Sequence, residues 1–317
     1  MSPLVSIVCL CYNHERFVRE AVESVLNQSY PNIQVLIVDD ASTDNSRSVI
    51  REIAAKNPDI EIILTERNLG NCAAFNLALQ NVKGEFVVDF ATDDVMEPER
   101  IARQIDFFKT LDPSYGVIFS DATYIDENGN VIRNHFDYLV AKGLIRNIPV
   151  GDVYKNVIST YFIPSPTMLV RKQVMDELKG YDEQLSYEDF DFWIRSSRKF
   201  KYAFQNERLT KIRKSRSSMS TGWYKQGDAQ LHSTYLVCKK ILLMNKSKDE
   251  NRALAARLKY EIRQSVFSDN EREARLFFEL LVAIGEVSFA DHVMISLTRL
   301  PFSLSPIRSL YHRVRYK

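Results

Sequence analysis

The stretch that follows the first apolar run, CLCYNHERF (9–17), contains no glycine. A dinucleotide-binding βα turn needs glycines there, to turn tightly and to let the backbone approach a pyrophosphate, so an oxidoreductase of that class is excluded. No phosphate-cradling P-loop sequence occurs in the chain either. Charge of one sign is also missing. Forty-two basic and 41 acidic residues leave a net charge of +1, so no overall field draws the protein to nucleic acid, and any anion binding has to be local. Four cysteines, Cys9, Cys11, Cys72 and Cys238, make neither a disulfide framework nor a metal-ligand spacing, which fits a reducing cytoplasm. The N-terminus has no basic region followed by an apolar core and a small-residue cleavage site, and no apolar run nears the roughly 20 residues of a membrane span. The expected protein is soluble and cytoplasmic, or peripheral on a membrane.

What is present is a chain of 317 residues, 45% of them hydrophobic, enough to bury a large core. Its first half alternates short apolar runs with helical periodicity. Strands are expected at 4–10, 33–40, 60–64 and 85–91, with helices over 17–26, 45–56 and 71–82 and a further helix opened by Pro98. Ser42 or Asp44 is placed to cap the second of these helices. Such repeated βα units predict an α/β fold, with a mainly parallel sheet and helices on both faces. Ligands of such sheets sit beyond the carboxyl ends of the strands. After residue 115 the alternation stops. A strand and a hairpin at Asn128-Gly129, a pair suited to a type I′ turn, are followed by strands at 164–172 and 201–214 with a helix opening near Tyr187 between them. From about 224 onward the pattern is nearly all helix, beyond the small, polar run SRSSMSTGW (215–223).

Two expected strands end in paired acids, Asp39-Asp40 and Asp93-Asp94. One aspartate at a strand end starts a turn or caps the next helix, but two adjacent acids cannot both cap one helix. A hard divalent cation with oxygen ligands offsets their repulsion, and Mg²⁺ or Mn²⁺ completes its shell with water and phosphate. The expected ligand therefore carries phosphate.

The run VSIVCLCYNHERFVREAVESVLNQSYPNIQVLIVDDASTDNS (5–46), with NLGNCAAFNLAL (68–79), TDDVMEPERI (92–101) and YEDFDFWIR (187–195), resembles family 2 glycosyltransferases of the GT-A fold. The resemblance is strongest up to about residue 110. It implies a Rossmann-like nucleotide-sugar-binding half (1–110), an acceptor-binding half (111–220), and a C-terminal helical region (221–317). It assigns Asp40, with Asp39 secondary, to the nucleobase of a nucleoside diphosphate sugar, Asp93 to the ribose and Asp94 to a Mn²⁺ or Mg²⁺ ion on the diphosphate. Thr92 stands where many members carry another acid. Arg67 and Asn68 are candidates for the base or a phosphate. Lys214 and Arg216, in the basic run with Lys211 and Arg213, are candidates for the diphosphate, although such runs are usually solvated faces.

The resemblance also makes Asp189 the general base, with Glu188 orienting base or acceptor, in a single displacement that inverts the anomeric carbon. Ser186, Tyr187, Glu188 and Asp189 equally read as a helix start, and Asp191 with Arg195 as a structural i, i+4 pair. The implied enzyme is a metal-dependent hexosyl- or N-acetylhexosaminyltransferase using a UDP-sugar, with a saccharide acceptor, lipid-linked in bacterial surface polysaccharide assembly. The alternatives are a non-catalytic nucleotide-sugar-binding subunit or scaffold, and a nucleotidyltransferase. From His292 to Lys317 there are five Arg or Lys and no acid, among apolar residues. That composition predicts a peripheral membrane helix, or a helix packed on the catalytic domain or on a second subunit.

Overall fold

The computed structural model describes residues 2–215, 224–300 and 302–304. Arg216 and most of the basic, apolar stretch that ends at Lys317 lie outside the described residues. The expectations attached to them, a phosphate contact and a membrane or partner helix, lie outside with them.

The βα series takes the form its periodicity demands. β1 (Val5–Cys11), β2 (Ile33–Asp39), β3 (Glu61–Leu64) and β4 (Phe86–Ala91) are joined through α1 (Val18–Leu26), α2 (Ser46–Lys56) and α3 (Asn71–Leu79). Every residue of β1 is buried. That is why the strand reads as a continuous apolar run, since a parallel strand covered on both faces has no solvent side to keep polar. Then come β5 (Val95–Met96), α4 (Arg100–Lys109), β6 (Tyr115–Ile125), β7 (Val131–Asn134), α5 (His135–Ala141) and α6 (Tyr154–Ser159). The chain continues through β8 (Leu169–Arg171), α7 (Lys172–Leu178), α8 (Asp189–Ser196) and β9 (Lys201–Arg213). Four α-helices follow, α9 (Ala229–Met244), α10 (Lys248–Val266), α11 (Glu271–Ala283) and α12 (Phe289–Ser296), and a short 3-10 turn at Leu297–Arg299 comes after them.

Among the described residues the strands form one nine-stranded sheet of order β3-β2-β1-β4-β8-β6-β9-β5, with β7 on β6. β1 pairs in parallel with β2 and β4, and β2 with β3. β8 enters antiparallel to β4 and β6, while β9 runs parallel to β6. The fold is mixed α/β, with a mainly parallel sheet and a C-terminal helical region. No helix among the described residues is long and apolar enough to cross a membrane.

The hairpin differs from the expected type I′ turn, which needs positive φ at both central residues. Gly129 has φ 85°, but Asn128 does not reach positive φ. Asp126 instead accepts from the amides of Asn128 and Asn130 through one carboxylate oxygen, both at 2.8 Å, while its own amide donates to Asn130 O. That side chain builds a three-residue loop with glycine in the left-handed position.

The chain divides into two compact units, each assembled from non-contiguous segments. Residues 1–153, 162–183 and 191–218 form the first unit; residues 154–161, 184–190 and 219–317 form the second. The first holds the sheet. The second holds α6 and α9–α12, and with them the segment that carries Glu188 and Asp189.

Candidate active site

In the first unit the carboxyl ends of β2, β1 and β4 lie side by side. Cys11 is in register with Asp39, and Leu10 with Ala91. The loops that leave these ends are stitched together. Asn13, in the left-handed region at φ 57°, accepts through its side-chain oxygen from the Thr43 amide at 2.8 Å, and its own amide donates to Ser42 Oγ at 2.9 Å. Asp44 accepts from the amides of Ser46 (2.9 Å) and Glu15 (3.0 Å), and so bonds the first turn of α2 from one residue before its cap position, Asn45.

The first acidic pair divides its work. Asp39 is fully buried; its Oδ1 accepts from Arg47 Nε at 2.6 Å and from the Ser42 amide at 3.0 Å. Arg47 also donates to Thr65 O. Asp40, 6% exposed, accepts from the Leu69 amide (2.7 Å) and Thr65 Oγ1 (3.1 Å) on Oδ1, and from the Gly70 amide (2.9 Å) on Oδ2. Those amides lead into α3, whose N-terminus carries partial positive charge, so an acid is stabilised there. Gly70 has φ 84° and ψ 160°, a region almost confined to glycine. Arg67 and Asn68 are both exposed on this loop, and Asn68 Oδ1 accepts from the Gly70 amide at 3.0 Å.

The second pair follows β4. Thr92 is fully buried, donates to Leu10 O at 3.0 Å, and lies 2.9 Å from His14 Nδ1. Asp94, 3% exposed, accepts on Oδ1 from the Arg213 amide at 2.8 Å. Burial, and then the charge of Asp93, push the Asp94 carboxyl well above the ordinary carboxylate range, against the opposing pull of that amide, Lys214 and Arg100. The Asp93 carboxylate makes no hydrogen bond or ion pair among the described residues. Arg213 fixes this turn. It is buried, and donates from Nε to Asp93 O (2.9 Å), from Nη1 to Asp126 O (3.1 Å) and from Nη2 to Glu20 (2.6 Å), over the Phe17 ring. Its place in a basic run pointed to a solvated face, and the structure corrects that. Lys214 donates its amide to Ile125 O and sets its ammonium 4.9 Å from the Tyr124 ring centroid.

The donor set decides which cation suits this turn. Among the described residues no cluster of three or more His, Cys, Asp or Glu side chains is able to hold a metal. An all-protein cage is therefore absent there. A buried carboxylate beside a second one that has no partner among the described residues fits Mg²⁺ or Mn²⁺, which take one or two carboxylates and leave the rest to water and phosphates.

In the second unit, the segment 184–190 leads into α8, with Glu188 and Asp189 half-buried. Ser186 lies three residues before the first residue of that helix. Its hydroxyl lies 3.0 Å from Ser233 Oγ. From Asp191 on, α8 belongs to the first unit, where Asp191 binds Arg195 Nε at 2.6 Å and Arg195 also donates to the carbonyls of Leu178 and Gly180, as a structural pair would.

A family model described as Glycosyl transferase family 2 matches residues 6–178. An uncharacterized glycosyltransferase of Methanocaldococcus jannaschii is 31% identical over 215 residues, covering 67% of this chain and 71% of its own length. Another, of Rickettsia prowazekii, is 30% identical over 213 residues, covering 67% and 64%. Among solved structures, S. aureus TarS 1–349 in complex with UDP-GlcNAc has a TM-score of 0.71 at 17% identity, over 99% of this chain and 93% of that one. The mannosyltransferase PcManGT of Pyrobaculum calidifontis, in complex with GDP-Man and Mn²⁺, has a TM-score of 0.60 at 16% identity, over 99% and 83%. At such identities the likeness carries the fold, which is GT-A. The family model spans more than half of the chain, including both strand-end acid pairs, and the chain belongs to glycosyl transferase family 2.

Proposed function

We propose that the chain is an inverting glycosyltransferase that moves a sugar from a UDP-sugar to a saccharide hydroxyl, with a divalent metal on the diphosphate. The observation that carries this reading is Asp94, buried just after β4 and aimed by the Arg213 amide, beside an Asp93 whose carboxylate has no hydrogen-bond or ion-pair partner among the described residues. The nucleotide sugars bound to TarS and PcManGT, and the Mn²⁺ in the latter, support it.

On this reading Asp40 does two things. It fixes the Asn68–Gly70 turn, and the remaining lone pair of Oδ2, which takes one hydrogen bond, accepts from an N–H of the nucleobase. Asp39 stays with Arg47. Asp93 accepts from the ribose hydroxyls, and Lys214 and Arg216 offer positive charge to the diphosphate. Mn²⁺ or Mg²⁺, held by Asp94 with Asp93 alongside, would neutralise charge on the departing diphosphate. Asp189 takes the proton of the acceptor hydroxyl while that oxygen bonds to the anomeric carbon and the bond to the diphosphate oxygen breaks. Glu188 orients the acceptor. Attack opposite the leaving group inverts the carbon.

Asp189→Asn tests the assignment through nucleoside diphosphate release with UDP-GlcNAc, UDP-glucose or GDP-mannose and a saccharide acceptor panel. Transfer should fall about 10²–10⁴-fold, the usual worth of a general base, with nucleotide binding retained. Unchanged transfer removes Asp189 from the role. If the wild-type chain transfers from none of these donors, a binding scaffold is favoured, and release of diphosphate would mean nucleotidyl transfer.

A further inference from the structure

The segment that carries Glu188 and Asp189 is bonded into the C-terminal helices. The Ser186 amide donates to Ser233 Oγ at 2.9 Å. Thr234 sends its own proton to Gln230 O, so the 2.6 Å contact between Tyr187 OH and Thr234 Oγ1 has the tyrosine as donor. Ser233 and Thr234 lie on α9 and are buried. On the other side of Asp189, Phe190 is fully buried and packs edge-on against Tyr161, with ring centroids 5.0 Å apart. The Arg257 guanidinium of α10 lies 4.0 Å from the Tyr161 centroid and 5.3 Å from that of Phe190. Arg257 is in turn fixed by Ile158 O at 2.9 Å and by Glu261, fully buried, at 3.2 Å. A buried ion pair is weak evidence for stability, because desolvation offsets much of its attraction. Fixing geometry accounts better for a charged side chain under two aromatic rings.

We propose that Ser233, Thr234 and Arg257 are positioning residues for Asp189. They hold the chain immediately before and after it, so the C-terminal helices set where the carboxylate stands. A base must be held within about 0.5 Å of its working geometry by neighbours that are themselves locked, and hydroxyls on a helix with a stacked guanidinium meet that need. The proposal rests on the reading of Asp189 as the base.

The test uses the full chain carrying Ser233→Ala and Thr234→Val together. Amide hydrogen exchange within 184–190 should quicken about tenfold, in line with a lost hydrogen bond, while exchange in β1, β2 and β4 stays as in the wild type. Turnover of UDP-GlcNAc with Mn²⁺, followed by UDP release, should fall about tenfold in kcat with the donor KM unaltered. Thr234→Ser, which keeps the hydroxyl, should behave as wild type. Unaltered exchange in 184–190 overturns the proposal whichever residue is the base, and so does faster exchange with unaltered kcat. If Asp189→Asn leaves kcat unchanged, the base reading fails by itself, since the exchange measurement does not depend on it.

Discussion

The Arg213 backbone amide donates to Asp94 Oδ1 at 2.8 Å across 119 residues of chain, and the Arg213 side chain holds the Asp93 carbonyl of the same turn. β9 therefore shapes the acidic turn after β4. Arg213→Ala would take the side-chain donor from the Asp93 carbonyl and leave the Asp126 carbonyl with the Gly129 amide alone. The urea midpoint should drop by the equivalent of about 1–3 kcal/mol, and Mn²⁺-dependent UDP binding should weaken with it. Arg213→Lys keeps the charge but loses the planar fork, and should fall between. A midpoint unchanged by the alanine would contradict this role.

Asp39 and Asp40 are neighbours with separable effects. Asp39→Asn weakens a charge-assisted bond to Arg47 and should cost about 1.5–3 kcal/mol with UDP affinity unchanged. Asp40→Asn turns an amide group toward the Leu69 and Gly70 amides, and should lower UDP affinity as well as stability. Titration of UDP into both variants checks this. Equal loss of affinity in the two would refute the division of labour.

Gly70→Ala isolates backbone strain. A Cβ there meets nothing within 4 Å, so only the positive φ opposes it. The expected cost is about 1–3 kcal/mol in the thermal or urea transition, together with weaker UDP binding through the disturbed turn. An alanine variant as stable as the wild type would mean the turn relaxes freely.

His135 gives the stability a pH dependence with a definite sign. Its ring is buried between Phe162 O, at 2.8 Å from Nε2, and Tyr124 OH, at 3.2 Å from Nδ1. Burial lowers its pKa below the ordinary 6.5, helped by Arg133 and Lys214 and opposed by the Phe162 carbonyl and Asp121. Between that folded value and 6.5 the unfolded chain binds more protons. This contribution to stability is therefore complete above 6.5 and is lost as pH falls below it. Urea midpoints measured from pH 8 to pH 5 should decline across that window, and His135→Gln should flatten the slope.

Most of the first half was legible because β1, β2 and β4 are buried strands, and their apolar runs announce themselves without knowledge of their partners. The acids at their ends were legible for the same reason: charge has no cause to stop a buried strand unless something awaits it. The helices α5, α6 and α7 were not, since six or seven residues give fewer than two turns of periodicity. β5, two residues long, exists only through its pairing with β9 over a hundred positions later. In the site, the buried role of Arg213 was not legible because a Lys/Arg run looks solvated until the fold closes Phe17, Glu20 and Asp126 around it. Ser233 and Thr234 carried no local sign at all. Their meaning lies in what they hold, residues 186 and 187.

In the proposed function the acids after β4 bind a nucleoside diphosphate through a divalent cation, and UDP itself tests this without knowledge of the sugar. Thermal melts of the wild type and of Asp94→Asn, each with UDP and either Mn²⁺ or EDTA, give the answer. UDP should raise the wild-type melting temperature in Mn²⁺ and lose most of that effect in EDTA or in Asp94→Asn. Equal stabilisation by UDP with the metal chelated, or in the variant, would contradict the claim.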